Sequence, residues 1–512
     1  MIDTTPAVWL IGATLALTLA FAAPARADDP ATADDGPDPA AYRQQMMGNP
    51  NLQRLDGEAF TWHARSGVGR FFNAYEAFGD ERWLEEASVY FDWLIEQMET
   101  EPDGYRGWVG ARIGTDGELQ GPHVVGDANL IEPMLHFAEI VAADEALQEQ
   151  FGDKADEYVD VALEVIEKWD ARGSWEVDGD FAVYTQQDQW RRRDNPGEFV
   201  TIPELKRTEN MNKSGKMGVA FLRLYRITGD EQWRDRAVRI FSQYKRIMRY
   251  FEDEDRYIFN FWEPFGPWDI NEDNVPVGWI NVHPNRAGYQ GGELGMIVEA
   301  YHNGIVFTEE DMQRLIRTNH FMWNGDEANP DFVAADGRSD AGTLWDALAD
   351  FDETIRELRL ASAMRGGDSL NNRIDRAYAE RVLAQQPISF ERRHVTSDDQ
   401  LIIPDINLYE SRELNFAAAI PGHVTPGEAV VHLATQVRGQ GTLRIDLFDD
   451  EGEHVATLDE REVDGTESFD GRAGFETLVW DGRVEGEPLP AGHYTVRWTL
   501  NDSRRERGLE IR

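Results

Sequence analysis

Phe71–Met98 reads FFNAYEAFGDERWLEEASVYFDWLIEQM, and Phe221–Met248 reads FLRLYRITGDEQWRDRAVRIFSQYKRIM. Set 150 residues apart, without a gap, the two stretches agree at nine positions: Phe71/Phe221, Tyr75/Tyr225, Gly79/Gly229, Asp80/Asp230, Glu81/Glu231, Trp83/Trp233, Ala87/Ala237, Phe91/Phe241 and Met98/Met248. Each copy reads as a helix ending in an aromatic-rich stretch, then a Gly-Asp turn, then a second amphipathic helix. The glycine frees the turn backbone, and the aspartate can cap the helix that follows. Self-similar helix hairpins cannot bury their apolar faces alone, so several must stack.

The helical period extends outward from these copies. Further helices are expected near 130–142 and 153–169, 290–304 and 309–323, and 343–365 and 371–385, with another start at Pro39–Met47. Stacked pairs either extend as an open solenoid or close into an α/α toroid. Two long insertions rich in Trp, Pro and charge, Gly173–Glu209 and Glu252–Asn285, read as loops roofing a cleft and favour closure. The expectation is a mainly α chain: an (α/α) toroid of about five to seven hairpins over residues 41–390.

After His394 the period changes from 3.6 to 2. Ala429–Leu433, Leu443–Leu447 and Tyr494–Trp498 alternate or run β-branched between Gly, Asp and Pro turns, which predicts an all-β sandwich over 395–512. Its final stretch, Val479-Trp480-Asp481-Gly482 with Leu489-Pro490-Ala491-Gly492-His493-Tyr494, resembles the immunoglobulin-like domain of flagellar hook-capping proteins. That resemblance implies an accessory role.

At the other end, an apolar run from Ala7 to Ala23 closes with Ala25-Arg26-Ala27, the pattern of a signal peptide over 1–27 followed by an Asp/Ala/Pro linker over 28–40. The expected location is therefore secreted, periplasmic or cell-surface, with no stable membrane insertion after cleavage. The chain has no cysteine, which removes thiol nucleophiles and cysteine metal sites. A net charge of −45 disfavours nucleic acid as a partner and suits a saline habitat. Calcium would suit so many acids, but no loop has the spacing of a dedicated site, so neither metal nor cofactor is expected.

In a toroid the first helix of each pair is the inner one, so the segments leading into those helices converge at one end. They carry His63 and Arg65; His123, Asp127 and Asn129; Asn210, Asn212 and Lys213; and His283, Arg286 and Tyr289. The last group joins an imidazole, a fixed cation and a phenol within seven residues. Asn210 or Asn212 also fits the N-cap of a helix starting at Ser214. Half of the six lysines, with Arg191, Arg192, Arg193 and Arg207, crowd between Gln186 and Lys216, a local basic patch that points to an anionic ligand unless neighbouring acids pair it off. Trp108, Trp175, Trp190, Trp262, Trp268 and Trp279 offer stacking platforms for sugars if exposed, and plain core if not.

The combination of Asn, His, Arg and Tyr resembles the toroid polysaccharide lyases that act on uronic-acid polymers such as alginate or glucuronan. Carried over by residue type, the resemblance implies that Asn212 (or Asn210) and Arg286 bind the substrate carboxylate, that His283 helps as base or neutraliser, and that Tyr289 is the base or the acid of a β-elimination. His63, Arg65, Trp108, His123, Asn129, Arg192, Asn210, Lys213, Trp262 and Trp268 would then bind an anionic polysaccharide. A toroid glycoside hydrolase is the first rival; it needs two carboxylates, for which Asp127, Glu132, Glu209, Glu263 and Asp269 are candidates. A uronyl epimerase, which would share the proton-abstraction step, and a non-catalytic glycan-binding protein are also compatible with these residues.

Overall fold

The computed structural model describes residues 36–512 except 55–56, 113–114, 116, 278–286, 336–341, 396–398, 405, 407–412 and 466–473. The expected signal peptide and most of the linker lie outside the described residues, as do His283, Arg286 and Trp279.

The helical part runs α1 (Pro39–Met47), α2 (Gly57–Arg65), α3 (Gly69–Phe78), α4 (Arg82–Glu96), α5 (Val124–Ala142), α6 (Glu145–Ala171), α7 (Met211–Thr228), α8 (Glu231–Arg246), α9 (Ala287–His302), α10 (Glu309–Met322), α11 (Glu353–Arg365) and α12 (Leu370–Arg381). Packing follows a closed circuit. Helix α2 lies on α5, α5 on α7, α7 on α9, and α9 on the 3-10 turn Asp346–Asp350; that turn leads through α11 to α12, which returns to α3. Arg70 of α3 donates twice to the carboxylate of Asp375 on α12, both bonds at 2.8 Å, and so clasps the ring. Helices α4, α6 and α8 pack outside their hairpin partners. The fold is an α/α toroid followed by a β-sandwich.

The residues shared by the two sequence copies build the hairpins. Gly79 and Gly229 end α3 and α7 in left-handed conformation, with φ of 63° and 69°, and donate their N–H groups to the carbonyls of Tyr75 and Tyr225. Asp230 accepts from the Gln232 N–H and caps α8; Asp80 accepts from the Arg82 N–H. Trp83 packs on Phe71 and Trp233 stacks on Phe221, with ring centroids 6.3 and 5.7 Å apart.

Three expectations change. Thr61–Gly67 is not a lead-in loop: His63 and Arg65 sit on α2, and the inner helix breaks after them at Gly67, whose φ is 95° and whose carbonyl accepts from the Tyr42 hydroxyl. The helix expected over 343–365 is split, because Asp352 caps a new start by accepting from the Ile355 N–H while Trp345 is fully buried before it. The insertion Gly173–Glu209 is not loop but sheet. Trp175–Asp178 pairs with Phe181–Tyr184, and Gln189–Arg192 and Asn195–Thr201 join Gly110–Ala111 and Leu119–Gly121 in a four-stranded antiparallel sheet.

The sandwich has a three-stranded sheet, in the order Leu414–Ile420, Val431–Val437, Phe475–Trp480. Its second sheet runs His423–Val424, Ser503–Ile511, Gly492–Leu500, Gly441–Phe448, His454–Val463. Leu433, Ile445, Trp498 and Leu509 are among the residues that fill its core. Trp262, from the second insertion, packs with Phe416, Ala418, Ile420 and Ala434 and seats the sandwich on the toroid. Among the described residues no helix is long and apolar enough to cross a membrane.

Candidate active site

Helix α7 sits between α5 and α9, and the starts of these three inner helices form one end of the toroid. The first turns of α7 and α9 meet closely. The Met211 N–H donates to the carbonyl of Phe261 at 3.3 Å, and Tyr289 of α9 stacks on the Phe261 ring with centroids 5.5 Å apart. Gly215 permits this approach, since a Cβ there would run into the Tyr244 hydroxyl and the Met296 sulfur. Before α5, the extended His123 brings its ring 5.1 Å from that of Trp190.

Below this mouth the inner helices carry charge where a packed bundle would carry leucine. Glu132, His136 and Glu139 share one face of α5 at helical spacing; Lys216, Arg223 and Arg226 do the same on α7. Arg65 donates to Glu132 at 2.8 Å, and Arg223 reaches the other Glu132 oxygen at 3.0 Å. Arg223 also bridges to Glu139 at 2.6 Å, and Arg226 ties Glu139 to Glu299 of α9 at 2.5 and 2.9 Å. Four cations (Arg65, Lys216, Arg223, Arg226) thus meet three carboxylates (Glu132, Glu139, Glu299), and among the described residues Lys216 has no ion-pair partner.

Burial, together with this imbalance, sets the protonation states. Burial would raise Glu132, but Arg223 and Arg65 outweigh it and hold its carboxyl well below the usual range. Burial, then Arg65, pushes Lys216 down to about 7, against the pull of Glu132. Burial also lowers His136 to about 4, so its imidazole is neutral at pH 7. Glu293 goes the other way. It lies on α9 four residues after Tyr289, fully buried, and burial raises it well above the carboxylate range, opposed by one N–H donated from the Asn212 backbone. One inner helix therefore holds an ionised carboxylate and another a neutral carboxylic acid, on either side of α7.

The sequence-derived residues divide accordingly. Asn212 and Tyr289 are at the mouth; Asn212 is buried within α7 rather than capping it, because the helix begins at Met211, and its side-chain oxygen has no hydrogen-bond partner among the described residues. Asn210 holds the N-cap position but makes no side-chain cap bond. Asn129 is fully buried on α5, both amide atoms without a partner among the described residues. His63 and Arg65 are half-buried on α2. Trp108 and Trp262 are corrections: each is 2% exposed, with its indole N–H bonded to the Leu94 or Thr208 carbonyl, so neither ring offers a stacking face. Trp268 stays half-buried, with the Lys206 amine 4.6 Å from its ring.

The basic patch largely pairs off. Arg191 binds Glu99, Lys206 binds Glu176 and Lys213 binds Glu209, at 2.5, 2.5 and 3.3 Å; Arg192 is exposed on its strand. Of this patch, Lys216 is the member that lies in the inner-helix column. Three hydrolase candidates are held outside the inner-helix column. Asp127 is held by Lys168 and the Trp169 indole between α5 and α6; Asp269 accepts from Thr208, Phe265 and Gly266; Glu263 faces the sandwich arginines. Glu293 was missed, although a lone acid in the Gly-Gly-Glu-Leu-Gly-Met run of an apolar helix was a readable signal. Among the described residues no group of three or more His, Asp or Glu is arranged for a metal ion.

No known family and no curated protein sequence matches the chain. Solved structures do. An inactive variant of the α-1,6-mannanase of Salegentibacter sp. HEL1_6, in complex with α-1,6-mannotriose, is 14% identical over 67% of this chain and 98% of its own, with a TM-score of 0.37. A family 76 glycoside hydrolase (mannosidase) of Bacteroides thetaiotaomicron VPI-5482 is 13% identical over 68% and 85%, at 0.33. The cellobiose 2-epimerase of Spirochaeta thermophila DSM 6192 is 15% identical over 61% and 71%, at 0.35. Likeness at this level says nothing of substrate or mechanism, and the toroid rests on the helix circuit itself.

Proposed function

We propose that the chain is an exported glycan-processing enzyme working by acid–base catalysis between the inner helices of the toroid, at and just below its mouth. Glu293 is the proton donor, Glu132 the ionised carboxylate, and Lys216 with Arg65 receives an anionic group of the substrate; the sandwich is accessory. The observation that carries this reading is the opposite displacement of two inner-helix carboxyls, Glu293 upward and Glu132 downward. Glycoside hydrolysis needs that pair, an acid that keeps its proton at neutral pH and a carboxylate that does not. The surplus cation at Lys216 supports an anionic substrate over a neutral one.

A second reading has its own support. Tyr289 and Glu293 are four residues apart on α9, hence on one face. A neutral carboxyl beside a phenol would serve β-elimination from a uronate, Glu293 neutralising the C6 carboxylate while Tyr289 handles the proton. One assay separates the two: incubation with alginate, glucuronan and neutral glycans, following reducing ends and short-wavelength ultraviolet absorbance together. Hydrolysis gives reducing ends without the unsaturated chromophore; elimination gives both. If the reaction is hydrolysis, Glu293→Gln should lower turnover by roughly 10²–10⁴-fold, because the amide cannot deliver a proton. Full activity in that variant sinks the assignment.

A further inference from the structure

The strand Ser503–Ile511 alternates, and its inward face begins with Arg505 and Arg507 before Leu509 and Ile511 enter the sandwich core. Arg505 is 1% exposed and Arg507 8%, both turned toward the toroid: Arg505 donates to the Met248 carbonyl at 3.3 Å. The nearest carboxylate is Glu263, 3.8 Å from Arg505 and 3.6 Å from Arg507, already accepting from the Asn260 amide at 2.7 Å. A third guanidinium, Arg246 at the end of α8, lies over the Phe181 ring at 4.2 Å and acts on Arg507. Asp178 is the other acid in range; it accepts from the Gly422 N–H.

Three guanidiniums therefore face two carboxylates, leaving one surplus positive charge in a junction where the Phe181 and Phe265 rings flank Arg246. The Nε and Nη2 atoms of Arg505 and the Nη2 of Arg507 are buried without a hydrogen-bond partner among the described residues. Burial, with Arg507 beside it, lowers Arg505 to about 9, which leaves it charged at neutral pH. Two buried guanidiniums that share the Glu263 carboxylate are only partly compensated, which is costly, and arginine does not escape by releasing its proton.

We propose that a small monovalent inorganic anion of the halide type binds at the toroid–sandwich junction, on the free N–H groups of Arg505 and Arg507. One negative charge balances the surplus, and a small ion with a modest hydration shell suits apolar walls. The site is separate from the mouth, where Glu293 and Lys216 act, and does not depend on the proposed reaction.

The test uses the full chain. Crystals soaked in bromide should show an anomalous peak within hydrogen-bond reach of both guanidiniums. At constant ionic strength, exchanging gluconate for chloride should raise the thermal midpoint saturably, on the order of 2 °C. Arg505→Met should abolish that gain. Arg507→Met is the substitute if the first variant does not fold. Absence of bromide at the junction, or a chloride gain unchanged in the folded variant, overturns the proposal.

Discussion

Lys216→Met should make the protein more stable in acid and neutral solution, and by an amount that depends on pH. The wild-type amine sits 9% exposed on α7 with Arg65 and Arg223 pushing against its charge and Glu132 favouring it, and its pKa falls from 10.5 to about 7. At about 1.4 kcal/mol per unit, that displacement means the charged amine destabilises the folded chain by roughly 4–5 kcal/mol below pH 7. Between about pH 7 and 10.5 the unfolded lysine still holds a proton that the folded one has released. Wild-type stability therefore rises with pH through this window, and the advantage of the variant shrinks by about 1.4 kcal/mol per unit. Arg223 and Glu132 stay ionised throughout, so they add no slope of their own. Urea unfolding of both proteins at closely spaced pH values from about 6 to 9.5 measures the gap. A gap that does not vary with pH, or a variant less stable than wild type at about pH 6, refutes the reasoning. Lys216→Arg sharpens the comparison, since a guanidinium cannot discharge and its deficit should persist across the window.

Other expectations follow from the same geometry. The raised Glu293 is protonated at neutral pH, so turnover should fall as pH rises through its folded pKa, and Glu293→Gln should remove that alkaline limb from the pH–rate profile. Asp127 and Lys168 are both fully buried and 2.5 Å apart, so Asp127→Asn should cost about 3–5 kcal/mol by stranding the lysine, measured by urea unfolding. Pairing Asp127→Leu with Lys168→Met should recover most of that loss. Gly215→Ala forces a Cβ against Tyr244 and Met296 and should cost about 1–3 kcal/mol, read from the same unfolding curves.

How much of this was legible in the chain varies by element. The nine shared positions identified the hairpins because each does a local job: Gly79 and Gly229 turn, Asp230 caps, Trp83 and Trp233 pack on the preceding helix. Local chemistry of this kind is written in neighbouring residues. The break at Gly67 was not visible, because it depends on the Tyr42 hydroxyl reaching back from α1. The charged column was hidden for a related reason. Glu132, Glu139, Arg223 and Arg226 have the spacing of a solvated helix face, and periodicity reports that a face exists without saying whether it meets water or the axis of a ring. Only closure of the circuit turns that face inward. Trp108 and Trp262 failed oppositely: aromatic residues in insertions look available until the tertiary fold closes over them.

The glycine caps at Gly79 and Gly229 finish their inner helices at the end opposite the mouth. Assembly and chemistry are thus written in different stretches of the chain. Away from buried anchors such as Asp127, Gly215 and Trp262, mutations at helix starts and in the insertions can be explored without loosening the hairpins, while a change at a cap is felt by the whole ring. A scaffold divided in this way is free to exchange one substrate for another over evolutionary time, with the caps held still and the mouth rewritten.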